Sequence, residues 1–240
     1  MNNALLMHPT YLFWKGIINN LFKHEEISIL DYGCGNGIIL DLIDSSRIKK
    51  YLGYDTSADA VAVGCARYKD NKKVSLVAIK PKSRPNFGLA NSHDLVILIG
   101  VFQYLEKGEI DHVIQEAKRT LKKGGCLMFS TVLDDSLYKF INLYRFVFPN
   151  RYINRKKMES SLKKAGFKLR INQARGLIFG PLVSHGLVIP FDAIDHYIFG
   201  VRGKIGLLGK LVRLIAFPFM YLELLLPIDR GYTWYVVAEK

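Results

Sequence analysis

Apolar residues along the chain fall into short unbroken runs, which alternate with longer stretches where they recur every three or four positions. Ile27-Ser28-Ile29-Leu30 is short and β-branched, the mark of a buried strand. Three glycines in five positions follow, Gly33, Gly35 and Gly37, and then Ile38, Ile39, Leu42 and Ile43 at helical spacing, which predicts a helix. Residues 51–55 read as a second strand, 58–68 as a helix and 74–79 as a third strand. Residues 93–99, HDLVILI, are too uniformly apolar for a half-exposed edge and predict a central strand. Ile110, Val113, Ile114, Ala117 and Leu121 mark one face of a helix that Gly124-Gly125 is expected to end, and 126–132 read as a fifth strand. Strands alternating with helices imply a parallel sheet covered by helices on both faces.

The pattern loosens after Thr131. Helices are expected over 136–148, ended by Pro149, and over 154–165, ended by Gly166. A strand is expected over 167–174, and 232–238 close the chain as another. Between these two strands lies a glycine-, proline- and leucine-rich insert, 176–228, where the choice of substrate is expected to reside. From Ile205 to Leu226 its apolar residues follow helical spacing. That run is long enough to span a bilayer, but Lys210, Arg213 and Pro218 interrupt it, and the last strand must return to the sheet. Two readings stay open: a lid packed on the core, or an amphipathic surface seated in a membrane interface.

Composition narrows the class. A 240-residue chain that is 50% hydrophobic can bury a full core. Cys34, Cys65 and Cys126 are scattered, without the paired spacing of a zinc site or a disulfide framework, and read as reduced core thiols of a cytoplasmic protein. The first residues lack a basic segment followed by an apolar core, so no signal peptide is expected. Charge is uneven. Residues 1–120 hold 15 Lys+Arg against 13 Asp+Glu, whereas 121–240 hold 19 against 8. Between Lys139 and Arg175 there are 11 basic residues and one acid, Glu159. Such a cluster suits an anionic surface, either lipid headgroups at the inner membrane face or the phosphates of a nucleic acid.

The glycine run carries the chemistry. Strand, glycine turn and helix form a layout whose free N–H groups face an anion or a polar ligand. A phosphate-cradling loop needs Lys followed by Ser or Thr after its last glycine, and Ile38-Ile39 stand there instead. The dinucleotide fingerprint is G-x-G-x-x-G, whereas this chain has G-x-G-x-G with Asp31 upstream. The run LDYGCGNG resembles the first motif of the class I S-adenosylmethionine-dependent methyltransferases. YLGYDTSADAV, HDLVILIGVFQYLE, AKRTLKKGGCLMFST and NRKKMESSLKKAGFKLR resemble later segments of that family in the right order, over about residues 25–175. The nearest branch methylates quinone precursors, lipids and other small molecules.

The resemblance implies a Rossmann-like, doubly wound seven-stranded sheet, mostly parallel with an antiparallel C-terminal strand. It implies one domain over 1–240, with a cofactor-binding core at 25–132, substrate-side helices and insert at 133–228, and the last strand at 232–240. Asp31, Gly33, Gly35, Gly37, Asp55, Thr56 and Gly100 are the expected cofactor residues, with Asp55 on the ribose hydroxyls and Asp31 behind the loop near the cofactor's ammonium. A carboxylate only accepts hydrogen bonds, so a diol suits Asp55 on its own terms as well. The family's adenine-binding acid is missing from KPKSRPNFGLANSH, which leaves Asn91 or a backbone carbonyl for that role. Methyl transfer from a sulfonium needs alignment and exclusion of water, plus a base only where the acceptor must lose a proton. Tyr104, where the family often has histidine, and His185 are the candidate catalytic residues; His196 is a further candidate base, while His93 is expected to cap its strand. The leading expectation is O-methylation of a small-molecule or lipid-linked acceptor by a cytoplasmic enzyme in peripheral contact with an anionic membrane. An RNA methyltransferase using residues 145–175, with Tyr144, Tyr152 and Phe167 stacking on bases, and a non-catalytic cofactor-binding subunit are the alternatives.

Overall fold

Strands whose two faces are both buried need no polar alternation, and that is how the centre of this sheet is built. A computed structural model describes residues 9–22, 25–80, 87–134, 152–176, 179, 187–198, 206–226 and 228–240. Seven strands, β1 (Ile27–Tyr32), β2 (Ile48–Asp55), β3 (Val74–Ala78), β4 (His93–Ile99), β5 (Leu121–Val132), β6 (Lys168–Arg175) and β7 (Thr233–Glu239), form one sheet in the order β3-β2-β1-β4-β5-β7-β6. All are parallel except β7, which runs antiparallel to both β5 and β6. This is the expected Rossmann-like architecture. In β4, Val96 and Leu98 point to one core, while Leu95 and Ile97 point to the other. The first core is completed by α3 (Lys107–Thr120) and α4 (Arg155–Lys164), the second by α1 (Pro9–Leu21) and Leu224 of α6 (Leu207–Leu225). The remaining helices are α2 (Ala58–Arg67), beside β3, and α5 (Ile189–Tyr197), beside α6.

Three elements differ from expectation. The helix predicted after the glycine turn is two short 3₁₀ segments, Ile38–Leu42 and Ser45–Arg47. The register pairs Ile27 with Ile48, so the chain must run the full depth of the sheet from Gly37 back to Ile48. Ten residues of α-helix rise about 15 Å; the 3₁₀ form, at about 2 Å per residue, covers about 20 Å. Asp44 also draws the backbone N–H of Ser46 to its own carboxylate at 3.0 Å, which competes with α-helical bonding. Gly124-Gly125 does not cap α3 either. The helix stops at Thr120, and the glycines lie in an irregularity of β5, where the register jumps from His93↔Leu121 to Leu95↔Cys126. A Cβ on Gly125 would sit 3.1 Å from the Asp94 carbonyl, so glycine lets the bulge close on β4. Of the three cysteines, Cys34 and Cys126 are buried, but Cys65 is exposed and is not a core thiol. The helix predicted over 136–148 lies outside the described residues.

Within the insert, the expected helix is present as α6, and α5 is a helix that the sequence pattern did not announce. α6 starts two residues later than the pattern suggested, because its first turn is held from outside. The backbone N–H of Gly209 donates to Asp195 Oδ2 of α5 at 2.8 Å, and Asp195 is only 3% exposed. Gly206, at the N-cap, has no side chain to play that part, and a Cβ there would meet the Asp195 carboxylate at 2.2 Å. A carboxylate from the neighbouring helix thus replaces the usual N-cap side chain.

Candidate cofactor site

The carboxyl ends of β1, β2 and β4 form the place where open α/β sheets take their ligands. Gly33, Gly35 and Gly37 leave β1 with φ of +85°, +53° and +76°, a region that side-chain-bearing residues avoid. The N–H groups of Gly33 and Cys34 both donate to the Tyr54 carbonyl, at 2.7 and 3.1 Å, and bend the loop over the end of β2. Asp55, the last residue of β2, accepts from the Gly35 N–H at 2.7 Å on one oxygen and from the Ser57 N–H at 2.8 Å on the other. It therefore joins the loop to the start of α2, whose N-cap is Ser57. The loop is closed on two sides: a Cβ on Gly33 would meet Val101 Cγ2 at 2.4 Å, and one on Gly64 of α2 would meet the Asn36 carbonyl at 2.8 Å. A Cβ on Gly35 would meet nothing within 4 Å. The open side of the loop is at Gly35, next to Asp55.

Asp31 lies behind the loop, 4% exposed, and accepts a 2.5 Å hydrogen bond from the Tyr51 hydroxyl. Burial pushes its carboxyl up to about 7, against the opposing pull of the Tyr51 bond, and the neighbouring Asp55 charge adds to the rise. A cation placed near it would reverse that cost. Burial raises the Tyr11 hydroxyl of α1, with the Asp31 charge adding to the effect, so α1 brings a second phenol within electrostatic reach. Sequence reasoning missed both tyrosines. Tyr51 reads simply as a strand residue, and only the β1–β2 register turns its hydroxyl toward Asp31.

On the β4 side, Gly100 (φ +70°) turns the chain, and its N–H donates to the Ser130 carbonyl at 2.9 Å. Gln103, buried, accepts from the Thr131 hydroxyl at 3.1 Å and ties this turn to β5. Tyr104 follows, 62% exposed, with its phenol open to solvent. Thr56 is exposed beside Asp55. Asp31, Gly33, Gly35, Gly37, Asp55, Thr56, Gly100 and Tyr104 thus share the carboxyl edge of the sheet. His185 and the side chain of His196 lie outside the described residues.

Other candidates are elsewhere. Asn91 precedes β4 at the amino edge, where its N–H donates to the Arg119 carbonyl and its Oδ1 accepts from Lys240. It is at the wrong end of the sheet for adenine. His93 is buried there against Ser92 and Thr120, and burial lowers its pKa. The expected nucleic-acid arm is also partly internal. Phe167 is buried, with Lys118 over its ring, so it is unavailable for stacking. Arg155 binds Glu159, Asn172 and Asp229, Arg170 binds Glu239, and Arg175 binds the carbonyls of Leu226 and Ile228.

Comparison with known proteins decides the family. A methyltransferase-domain model matches residues 8–170, more than half of the chain. The chain belongs to the class I S-adenosylmethionine-dependent methyltransferases. Sequence comparison with curated proteins found no match. Among solved structures, an S-adenosylmethionine-dependent methyltransferase from Mesorhizobium loti is similar, at 14% identity and a TM-score of 0.62, over 95% of this chain and 97% of that one. Geranyl diphosphate C-methyltransferase from Streptomyces coelicolor, solved with geranyl diphosphate and S-adenosyl-L-homocysteine, is 14% identical with a TM-score of 0.59, over 95% and 78%. The [4+2]-cyclase SpnF is 17% identical with a TM-score of 0.63, over 95% and 80%. At these identities the likeness is one of fold, and the methyltransferase fold evidently accommodates other chemistry too.

Proposed function

We propose that this methyltransferase transfers a methyl group from S-adenosylmethionine to an oxygen of a small-molecule or lipid-linked acceptor. The observation that carries the reading is the loop with its open side at Gly35, directly beside the Asp55 carboxylate. The residues suit the cofactor: Asp55 is an acceptor for a ribose diol, the loop backbone is free of side chains where the ligand must approach, and buried Asp31 gains from a nearby cation. Thr56 and Gly100 flank it. Asn91 being excluded, the adenine amino group is left to a backbone carbonyl. The cofactor supplies an activated methyl on a sulfonium. The chain's part is to align the acceptor and keep water out, and exposed Tyr104, five residues past the end of β4, is our candidate to orient an acceptor oxygen. His185 stays a candidate base.

Calorimetry tests the cofactor site. Wild-type protein should bind S-adenosylmethionine in the micromolar range, and Asp55→Ala should weaken it by about a hundredfold, the loss of two charge-assisted hydrogen bonds at roughly 3 kcal/mol. Unchanged affinity in a folded Asp55→Ala protein would remove Asp55 from the site. Incubating extracts with isotope-labelled cofactor and following the label by mass spectrometry then identifies the acceptor and the atom methylated.

A further inference from the structure

α6 has one face in the core and another that is largely exposed, where among the described residues Phe179 packs on Phe219 at a ring-centroid distance of 5.7 Å. Gly209, Ala216, Phe217, Met220 and Leu224 are buried, packed toward α5 and α1. On the opposite arc Leu207, Leu211, Leu214, Ile215, Phe219 and Leu222 are 48–70% exposed. At 100° per residue these six, with Pro218 and Leu225, fill one continuous sector that holds no charged residue. The sector continues beyond the helix in Leu226 and Ile228, both exposed, and beside it α5 ends in exposed Tyr197 and Ile198. A monomer ordinarily leaves apolar patches of about 300–600 Å², and larger ones mark an interaction site.

The charge around the patch selects the occupant. Lys210 borders the sector on the helix itself, and exposed Arg230 follows its end. Arg175 binds the Leu226 and Ile228 carbonyls and Arg155 binds Asp229, so the end of α6 is pinned to β6 and the start of α4, which carries exposed Lys156 and Lys157. The apolar ridge has Lys210 on one border and Glu223 on the other, and with Arg230, Lys156 and Lys157 near its end the surrounding charge is net positive, complementary to a bilayer with anionic headgroups. No described helix is long and apolar enough to cross a membrane, so the fit is to the interface. β7, which follows α6, begins at Thr233 opposite Val132, the carboxyl end of β5. The patch therefore ends at the same edge of the sheet as the glycine loop.

We propose that the exposed face of α6 seats the protein on an anionic bilayer surface, and that the acceptor reaches the carboxyl edge of the sheet from that surface. The second clause rests on the methyltransferase reading above. Full-length protein is floated with vesicles of phosphatidylcholine alone and with about one third phosphatidylglycerol. Wild type should float with the anionic vesicles and about tenfold less with the neutral ones, and high salt should weaken this without removing it, because screening spares the apolar contact. Leu211→Glu with Leu222→Glu should reduce flotation to background while melting temperature and cofactor affinity stay at wild-type values; Leu214→Gln with Ile215→Gln should reduce it more mildly. Flotation that ignores both pairs would overturn the proposal. So would a stable dimer that the glutamates split, or RNA binding with a steep salt dependence in a protein that ignores vesicles. Flotation through α6 by a protein that binds no S-adenosylmethionine would uphold the docking and overturn the methyltransferase reading instead.

Discussion

At the scale of single residues, the loop glycines and Asp31 make separable predictions. Gly35 has open space where a side chain would go, so Gly35→Val introduces no clash with the protein. Its φ of +53° still strains a β-branched residue, at a cost of about 1–3 kcal/mol. The variant should melt cooperatively at a lower temperature and lose cofactor binding in calorimetry, because the new side chain fills the ligand's space. Binding at normal strength would reduce the loop to a turn. Asp31 predicts a pH effect. Its folded-state carboxyl titrates near 7, above its ordinary value of 3.8, so between these values the native state holds a proton that the unfolded state has lost. Stability therefore falls as pH rises from about 4 to 7 and stays low above that, by on the order of 4 kcal/mol in the absence of ligand. Asp31→Asn, which still offers an oxygen to Tyr51, should melt above wild type at pH 8, and the gap should close toward pH 5. A gap that does not change with pH would mean that Asp31 is not the group responsible. The place of the glycines and both acids at the carboxyl edge was legible in the sequence, because their spacing follows the strand ends. Tyr51, Tyr11 and Gln103 were not, since each acts through a partner that only register or packing supplies. Asn91 misled because its side chain suits an adenine amino group, while the direction of the loop is invisible without the sheet.

At the scale of elements, period and turn residues located all seven strands and four of the six described helices to within a few residues, and α1 and α5 were not read. The failures have one physical cause: a local signal was outvoted by a distance the chain had to cover or a partner it had to meet. Ile38 to Ile43 carry helical spacing, yet the depth of the sheet stretches them into 3₁₀ turns. Gly124-Gly125 look like a helix stop, yet they serve a bulge against Asp94. α5 had no signal beyond apolar residues in a proline- and glycine-rich insert, and its Asp195 showed no sign of capping another helix. That cap is testable. Asp195→Ala removes the acceptor for the first turn of α6, which should cost about 1–2 kcal/mol and raise amide exchange selectively over 207–212. Gly206→Ala should do at least as much, since its Cβ would displace the same carboxylate. Exchange unchanged over that turn in both variants would leave Asp195 as a packing residue only.

At the scale of the whole molecule, the last strand matters more than its position at the chain end suggests. The complete glycine loop, Asp31, Asp55 and Gly100 lie within residues 27–100, so the first half of the chain looks like an independent cofactor unit. The sheet does not divide that way. β7 lies between β5 and β6 and pairs with both along its full length, from Cys126↔Glu239 to Val132↔Thr233 on one side and from Lys168↔Glu239 to Arg175↔Thr233 on the other. Its residues alternate between the two cores: Trp234, Val236 and Ala238 join Phe129, α3 and α4, while Tyr235 and Val237 join α1, β1 and β4. The Tyr235 hydroxyl lies 2.8 Å from Thr10 of α1, so the last strand meets the first helix. Removing 233–240 would strip β6 of its ladder partner and β5 of one of its two, and open both cores at once. Such a truncated chain should lose its cooperative melt, expand on size exclusion and fail to bind S-adenosylmethionine, although every proposed cofactor residue is intact. A truncated protein that melts sharply and binds with wild-type affinity would show that residues 27–132 fold on their own, and that β7 stabilises only the substrate side. The packing argues against that outcome, because β4, whose end leads into the site, shares both hydrophobic cores with β7 across β5.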